Sequence, residues 1–256
     1  MQSFTNLSRR AAFSVAVIGA AASLTVQGSA NAEPRVRAVF PTTAAAVAVK
    51  AVSQAERDQI PTIRFSATPA SEEAVRALLK FRTVRWGGKP VQTLDEASRI
   101  LLVKAAAERA GLHQVGLSYH DVYGVIEAET SWIPRDGASK DGTPNLGLAQ
   151  FEPRTARGIG LKDPSDPVQA VFAAAKFMKE AAQWSSSKIG HLQLQPEQRQ
   201  AKLREGVSVF YNLSIKGRNK WDGLNTAALP IETQRHIRNA AAGASEAMEL
   251  ARKLRA

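Results

Sequence analysis

In the stretch Ser118–Trp132, SYHDVYGVIEAETSW, one carboxylate stands where a surface residue would not. At about 100° per residue with Val122 as origin, Tyr119, Val125 and Ile126 all fall within about 60°. Glu129 lies only about 20° away, at the centre of that apolar stripe, whereas Glu127 points about 140° away, to the opposite side. A carboxyl on the core side loses hydration, which is costly unless it is paired and which favours the neutral acid over the anion. A glutamic acid that keeps its proton near neutral pH is what general acid catalysis needs. The competing reading is a glutamate paired with a buried arginine in a structural network. Trp132, one turn further on, suits either stacking on a sugar ring or packing in the core.

Composition removes several other chemistries. The chain has no cysteine, which excludes disulfides, thiolate metal ligands and a cysteine nucleophile. The four histidines, His113, His120, His191 and His236, include no pair at metal-ligand spacing, so neither a metal nor another cofactor is expected. The run Asp136–Asn145 resembles a calcium loop only superficially, because it lacks the alternating acidic ligands and the closing glutamate.

Beyond Glu129-Thr130 the chain carries a series of short motifs. Trp132 and Pro134 lead into a Gly/Asp-rich loop (RDGASKDGTPN), then Gly147-Leu148-Ala149-Gln150, with Pro153 and Thr155-Ala156 beyond. Later come Phe210-Tyr211-Asn212 and Leu229-Pro230-Ile231-Glu232-Thr233. In this order, over about residues 116–240, the series resembles the soluble lytic transglycosylase family of bacterial cell-wall enzymes. That family carries Glu-Ser at a helix end, then Gly-Leu-Met-Gln, Ala-Tyr-Asn and a late Pro-x-Glu-Thr.

The resemblance implies a mainly α, lysozyme-like helical domain in which Glu129 is the single catalytic acid/base. It implies that the Thr130 hydroxyl helps to orient that carboxyl, that Gln150 lines the sugar groove, and that Tyr211 hydrogen-bonds near the carboxyl with Asn212 beside it. Four departures bear on substrate preference: Ala149 in place of Met, a longer loop before Gly147, Leu-Ser after Tyr211-Asn212, and His236 where an aromatic, often Tyr, follows the Glu-Thr.

Glycosidases commonly use two carboxyl groups. Asp136, Asp141 and Glu152 are candidates for a second one, although their loop contexts read as solvated charges. The chemistry implied by the resemblance needs only one. The acid protonates the oxygen between N-acetylmuramic acid and N-acetylglucosamine, then recovers a proton from the sugar's own C6 hydroxyl as a 1,6-anhydro ring closes. A muramidase that adds water, or a non-catalytic glycan-binding protein of an envelope-spanning apparatus, are the alternatives.

The elements expected to position these residues are helices. An amphipathic helix is expected over Ser71–Arg82. Thr93-Leu94-Asp95-Glu96 reads as a capping box opening a helix to Ala110, with Gly111 at its C-cap. Ser118, with Asp121 three residues on, caps the helix carrying Glu129. Asp166-Pro167 opens a helix through Trp184, and Pro196–Asn212 and Pro230 to about Leu254 complete the set. Runs of strand length with β-branched alternation are not evident. Trp184, Trp221 and Phe172 read as core.

Ahead of this domain (69–256), residues 33–68 read as a flexible Ala/Val/Thr-rich spacer with three prolines, carrying one short helix around Val52–Asp58. Residues 1–32 read as an export signal, with Arg9-Arg10, an uncharged small-residue stretch and Ala30-Asn31-Ala32 as a cleavage site. The stretch is too weakly apolar for a convincing membrane span. The expected location is therefore periplasmic, with no stable membrane insertion after cleavage. The net charge of +11 is spread along helices rather than gathered with aromatics, which disfavours nucleic acid and suits an anionic wall polymer. The expected partners are peptidoglycan glycan strands, with a secretion or motility apparatus as a further one.

Overall fold

The computed structural model describes residues 71–139 and 141–255; the stretches expected as an export signal, a spacer and a short helix over Val52–Asp58 lie outside the described residues. The described chain is mainly α. A short helix α1 (Glu72–Leu78) is N-capped by Ser71, whose hydroxyl accepts from the Ala74 N–H. It stops four residues short of the expected Arg82.

The next residues form a hairpin that the sequence pattern does not announce. Strand β1 (Phe81–Trp86) pairs antiparallel with β2 (Lys89–Leu94) across Gly87-Gly88. Both glycines sit at positive φ, 56° and 80°, which the turn requires. Thr93 lies within β2 instead of capping a helix; its hydroxyl donates to the Trp132 carbonyl. The cap of α2 (Glu96–Ala110) is Asp95, whose carboxylate accepts the Ser98 N–H at 2.8 Å, and Gly111 ends the helix as expected.

A 3₁₀ turn (Leu112–Val115) leads to α3 (Tyr119–Thr130). Ser118 and Asp121 form a complete capping box there, and Arg204 pairs with the buried Asp121 at 2.6 Å. Two short strands, β3 (Gly137–Ala138) and β4 (Pro144–Asn145), pin the loop before α4 (Pro153–Gly158). Helix α5 (Pro167–Ile189) is capped by Asp166 with Pro167 in its first turn, and runs one turn beyond Trp184. After α6 (Pro196–Asn212), the short α7 (Ile215–Arg218) and a 3₁₀ turn (Thr226–Ala228), the long α8 (Ile231–Lys253) closes the chain.

Helix α5 organises one half of the core. Val168, Val171, Ala175, Met178, Ala182, Ser185 and Ile189 are all buried, and their alternating three- and four-residue spacing makes one continuous stripe against α2 and α6. Trp221 is fully enclosed, Phe172 is buried, and Trp184 stacks on Trp221 with ring centres 5.6 Å apart. The other half is built from α3 and α8, which pack along most of the length of α3. Every residue from Asp121 to Ile126 is buried, so α3 has no broad solvent face.

Candidate active site

The site begins with how closely α3 and α8 approach. A Cβ on Gly124 would lie 2.2 Å from the Ala240 carbonyl oxygen, and one on Gly243 would lie 2.8 Å from the Glu127 Cβ and 3.0 Å from the Gly124 Cα. Only glycine at both positions lets the backbones meet. On α8 the residues facing α3 and α6 follow helical spacing from Thr233 and His236 through Gly243 to Ala247 and Leu250. This stripe carries His236 into the core, at 6% exposure.

There it meets Glu129. The His236 Nε2 lies 2.9 Å from the Glu129 Oε1, and the Glu129 side chain is 15% exposed. The inward position expected for this carboxyl is therefore found. Its partner is an imidazole, not the guanidinium of the competing reading. Tyr211, on α6, lies with its ring nearly parallel to that of His236, centres 6.1 Å apart. Burial, and then the nearby charge of Glu129, hold the Tyr211 hydroxyl well above the usual tyrosine range, so it remains a donor. It donates to the Ala149 carbonyl at 3.0 Å.

Glu129 is the penultimate residue of its helix. Ser131 and Trp132 come next at φ 50° and 60°, outside the helix, which ends α3 and drives Trp132 into the core. Trp132 is fully enclosed, 5.0 Å from the Tyr123 ring and under the Arg99 guanidinium, so it is unavailable to stack on a ligand. Arg135 folds back to cap the helix. Its guanidinium donates to the carbonyls of Thr130 at 2.6 Å and Glu129 at 3.0 Å, and lies over the exposed Trp86 ring at 4.9 Å. The hairpin is thereby tied to the end of α3, a link that no sequence pattern signals.

The other expected site residues gather here, but in different roles. Thr130 does not touch the Glu129 carboxyl. It is fully buried and donates to the Leu148 carbonyl at 2.9 Å, fastening α3 to the Gly-Leu-Ala-Gln turn. Gln150, at φ 50°, donates from its amide to the carbonyls of Arg135 and Gly147, both at 2.7 Å, so it braces the loop beneath the site. Asn212 is exposed, and its side-chain oxygen accepts from the buried Thr233 hydroxyl at 2.7 Å, joining α6 to α8. Four short motifs scattered over a hundred residues thus converge around one carboxyl.

The loop carboxylates are engaged within their own loop. Asp136 accepts the Gly147 N–H at 3.1 Å, Asp141 closes its own turn through the Thr143 N–H, and Glu152 receives a long contact from Ser139 at 3.4 Å. Among the described residues, no group of three or more His, Asp or Glu is placed to hold a metal ion, and no helix is long and apolar enough to cross a membrane.

No protein-family model, curated protein or solved structure matches the chain. The functional reading therefore rests on the motif series and on the geometry around Glu129.

The strongest contributor that the sequence pattern undervalues is His236. It stands out there only as a departure from an expected aromatic. Its three-residue offset from Thr233, on the stripe that continues to Gly243, is the available sign that it faces inward.

Proposed function

We propose that this chain is an exported peptidoglycan lytic transglycosylase of lysozyme-like fold, with Glu129 as its single general acid/base. The observation that carries the reading is the placement of that carboxyl. It stands at the end of a buried helix with one oxygen held by His236, next to the Tyr211 ring and the Gly147–Gln150 turn. An arrangement with one carboxyl fixed by an imidazole, and with Asp136, Asp141 and Glu152 bonded within their own loop among the described residues, suits chemistry in which the nucleophile comes from the substrate.

The steps balance without water. Protonated Glu129 gives its proton to the oxygen linking C1 of N-acetylmuramic acid to C4 of N-acetylglucosamine, and the C1–O bond breaks. The substrate's acetamido oxygen supports the electron-poor C1. The C6 hydroxyl oxygen then bonds to C1, and its proton passes to the Glu129 carboxylate, which restores the acid. The same group serves as acid and then as base. A basic exported protein is also suited to concentrating on an anionic wall polymer.

The test is digestion of purified sacculi by the protein, with mass analysis of the products. Anhydro ends, lighter than reducing ends by one water, are expected, and Glu129→Gln should abolish them. Reducing ends instead would identify a muramidase. Unchanged function of the Glu129→Gln protein in the cell would leave a glycan-binding or assembly role, with a secretion or motility apparatus as the partner to examine.

A further inference from the structure

We propose that His236 is a positioning residue that assigns the two oxygens of Glu129 to different tasks: Oε1 is held by the imidazole, and Oε2 exchanges the proton with the saccharide. This rests on the reading of Glu129 as the acid/base and adds to it a division of labour within one carboxyl.

The ring nitrogens of His236 differ in their surroundings. Nε2 lies 2.9 Å from Oε1, while Nδ1 is fully buried and has no hydrogen-bond partner among the described residues. Orphaned buried N–H groups are rare, and an ionised carboxylate oxygen can only accept. The hydrogen therefore belongs on Nε2, pointing at Oε1. That donor stabilises the carboxylate left after the proton has gone and fixes the rotation of the group. Oε2 takes no hydrogen bond from any described residue and is not among the enclosed, unpartnered atoms, so it is the oxygen left open to a ligand.

The surroundings of the ring keep this arrangement rigid. Glu129 from α3 and the Tyr211 ring from α6 face it, and Tyr211 is itself tied to Ala149. Thr233, one turn earlier on α8, is buried and bonded to Asn212. On its own helix, Glu232 lies one turn earlier on the same side, and Glu232, Arg235 and Arg238 are all exposed. The contact with Oε1 is the one hydrogen bond of the ring among the described residues, so rotating it away would cost that bond.

The test pairs two variants with a measurement that needs no turnover. His236→Leu fills similar space without a donor, whereas the amide N–H of His236→Gln reaches the place of Nε2. With folding confirmed by circular dichroism, His236→Leu should lower kcat about 10²-fold with KM within about twofold, since misplacement on the ångström scale costs that much. His236→Gln should recover at least about tenfold of the loss. Full activity in His236→Leu, or equal loss in both folded variants, would overturn the proposal.

Independently, nitrogen-15 NMR of the full chain should find the His236 proton on Nε2 and a shift of that resonance in Glu129→Ala. A proton on Nδ1 would also overturn it. Because the NMR result concerns the resting protein, absence of anhydro products would sink the functional reading without obscuring whether the imidazole holds Oε1.

Discussion

Two glutamates two residues apart on α3 have different fates, and helix α8 decides both. Glu129 meets the imidazole of His236 and keeps one oxygen open. Glu127 packs its Cβ and Cγ onto Gly243, two turns further along the same helix, and its carboxyl meets the Ser131 hydroxyl at its own helix end rather than an imidazole from α8. Burial, and then the charge of Glu246, raise the Glu127 pKa above the usual glutamate range. A helical wheel drawn on α3 alone puts one glutamate in the core and the other in solvent. The structure corrects this: α8 covers the Glu127 side too, because Gly124 and Gly243 let the two helices touch. An acidic side chain on a covered face becomes useful only when a partner helix delivers a matching donor.

The sharpest way to break this contrast is Glu129→Gln, which keeps the shape and an acceptor for His236 but cannot exchange the proton. Turnover should fall by about 10³-fold or more, within the range that a lost acid/base group explains, while the melting temperature changes by no more than about 3 °C. A comparable loss from Glu127→Gln would erase the distinction.

Next in size is Gly124→Ala, which sets a methyl group 2.2 Å from the Ala240 carbonyl oxygen. Forcing the helices apart should cost about 2–3 kcal/mol in urea unfolding. It should also reduce turnover about tenfold, because His236 moves with α8. A folded, fully active variant would show that the helix crossing does not set the Glu129–His236 distance.

Arg135→Met removes two donors from the carbonyls that end α3. A stability loss of about 1–2 kcal/mol is expected, with a several-fold fall in turnover as the end of the helix loosens.

The smallest effect belongs to Glu127→Gln. Its native pKa is raised, so the wild-type protein loses stability as pH climbs from the ordinary glutamate value through the raised one, and below that window there is no penalty. The variant should lack this slope and melt roughly 1–3 °C higher at neutral pH. Thermal scans at several pH values check it.

Local signals read correctly wherever the partner is near in sequence. Ser118 with Asp121, Asp166 with Pro167, Gly111 at its helix end and the bounds of Pro196–Asn212 all describe groups that satisfy backbone donors or acceptors within one turn. The first helix ends earlier than its pattern suggests, because Phe81 and Arg82 suit a helix as well as a strand. The period-two run around Gly87-Gly88 has only Val84 and Val91 as moderately covered positions, a faint stripe. At Thr93 two caps compete; Asp95 wins because its carboxylate reaches Ser98, while the threonine hydroxyl is claimed by Trp132 across 39 residues. Thr130, expected to serve the carboxyl next door, instead reaches the Leu148 carbonyl, a partner supplied only by the folded loop.

The sequence alone therefore determined the helical class, most helix ends and the inward direction of Glu129, because periodicity and capping depend on neighbours three or four residues away. Only the tertiary structure decided what that carboxyl faces. The contact with His236 spans 107 residues and exists because two glycines bring α3 and α8 close enough for a 2.9 Å hydrogen bond. Periodicity can turn a side chain inward, but the side chain that waits there is set by how the helices pack.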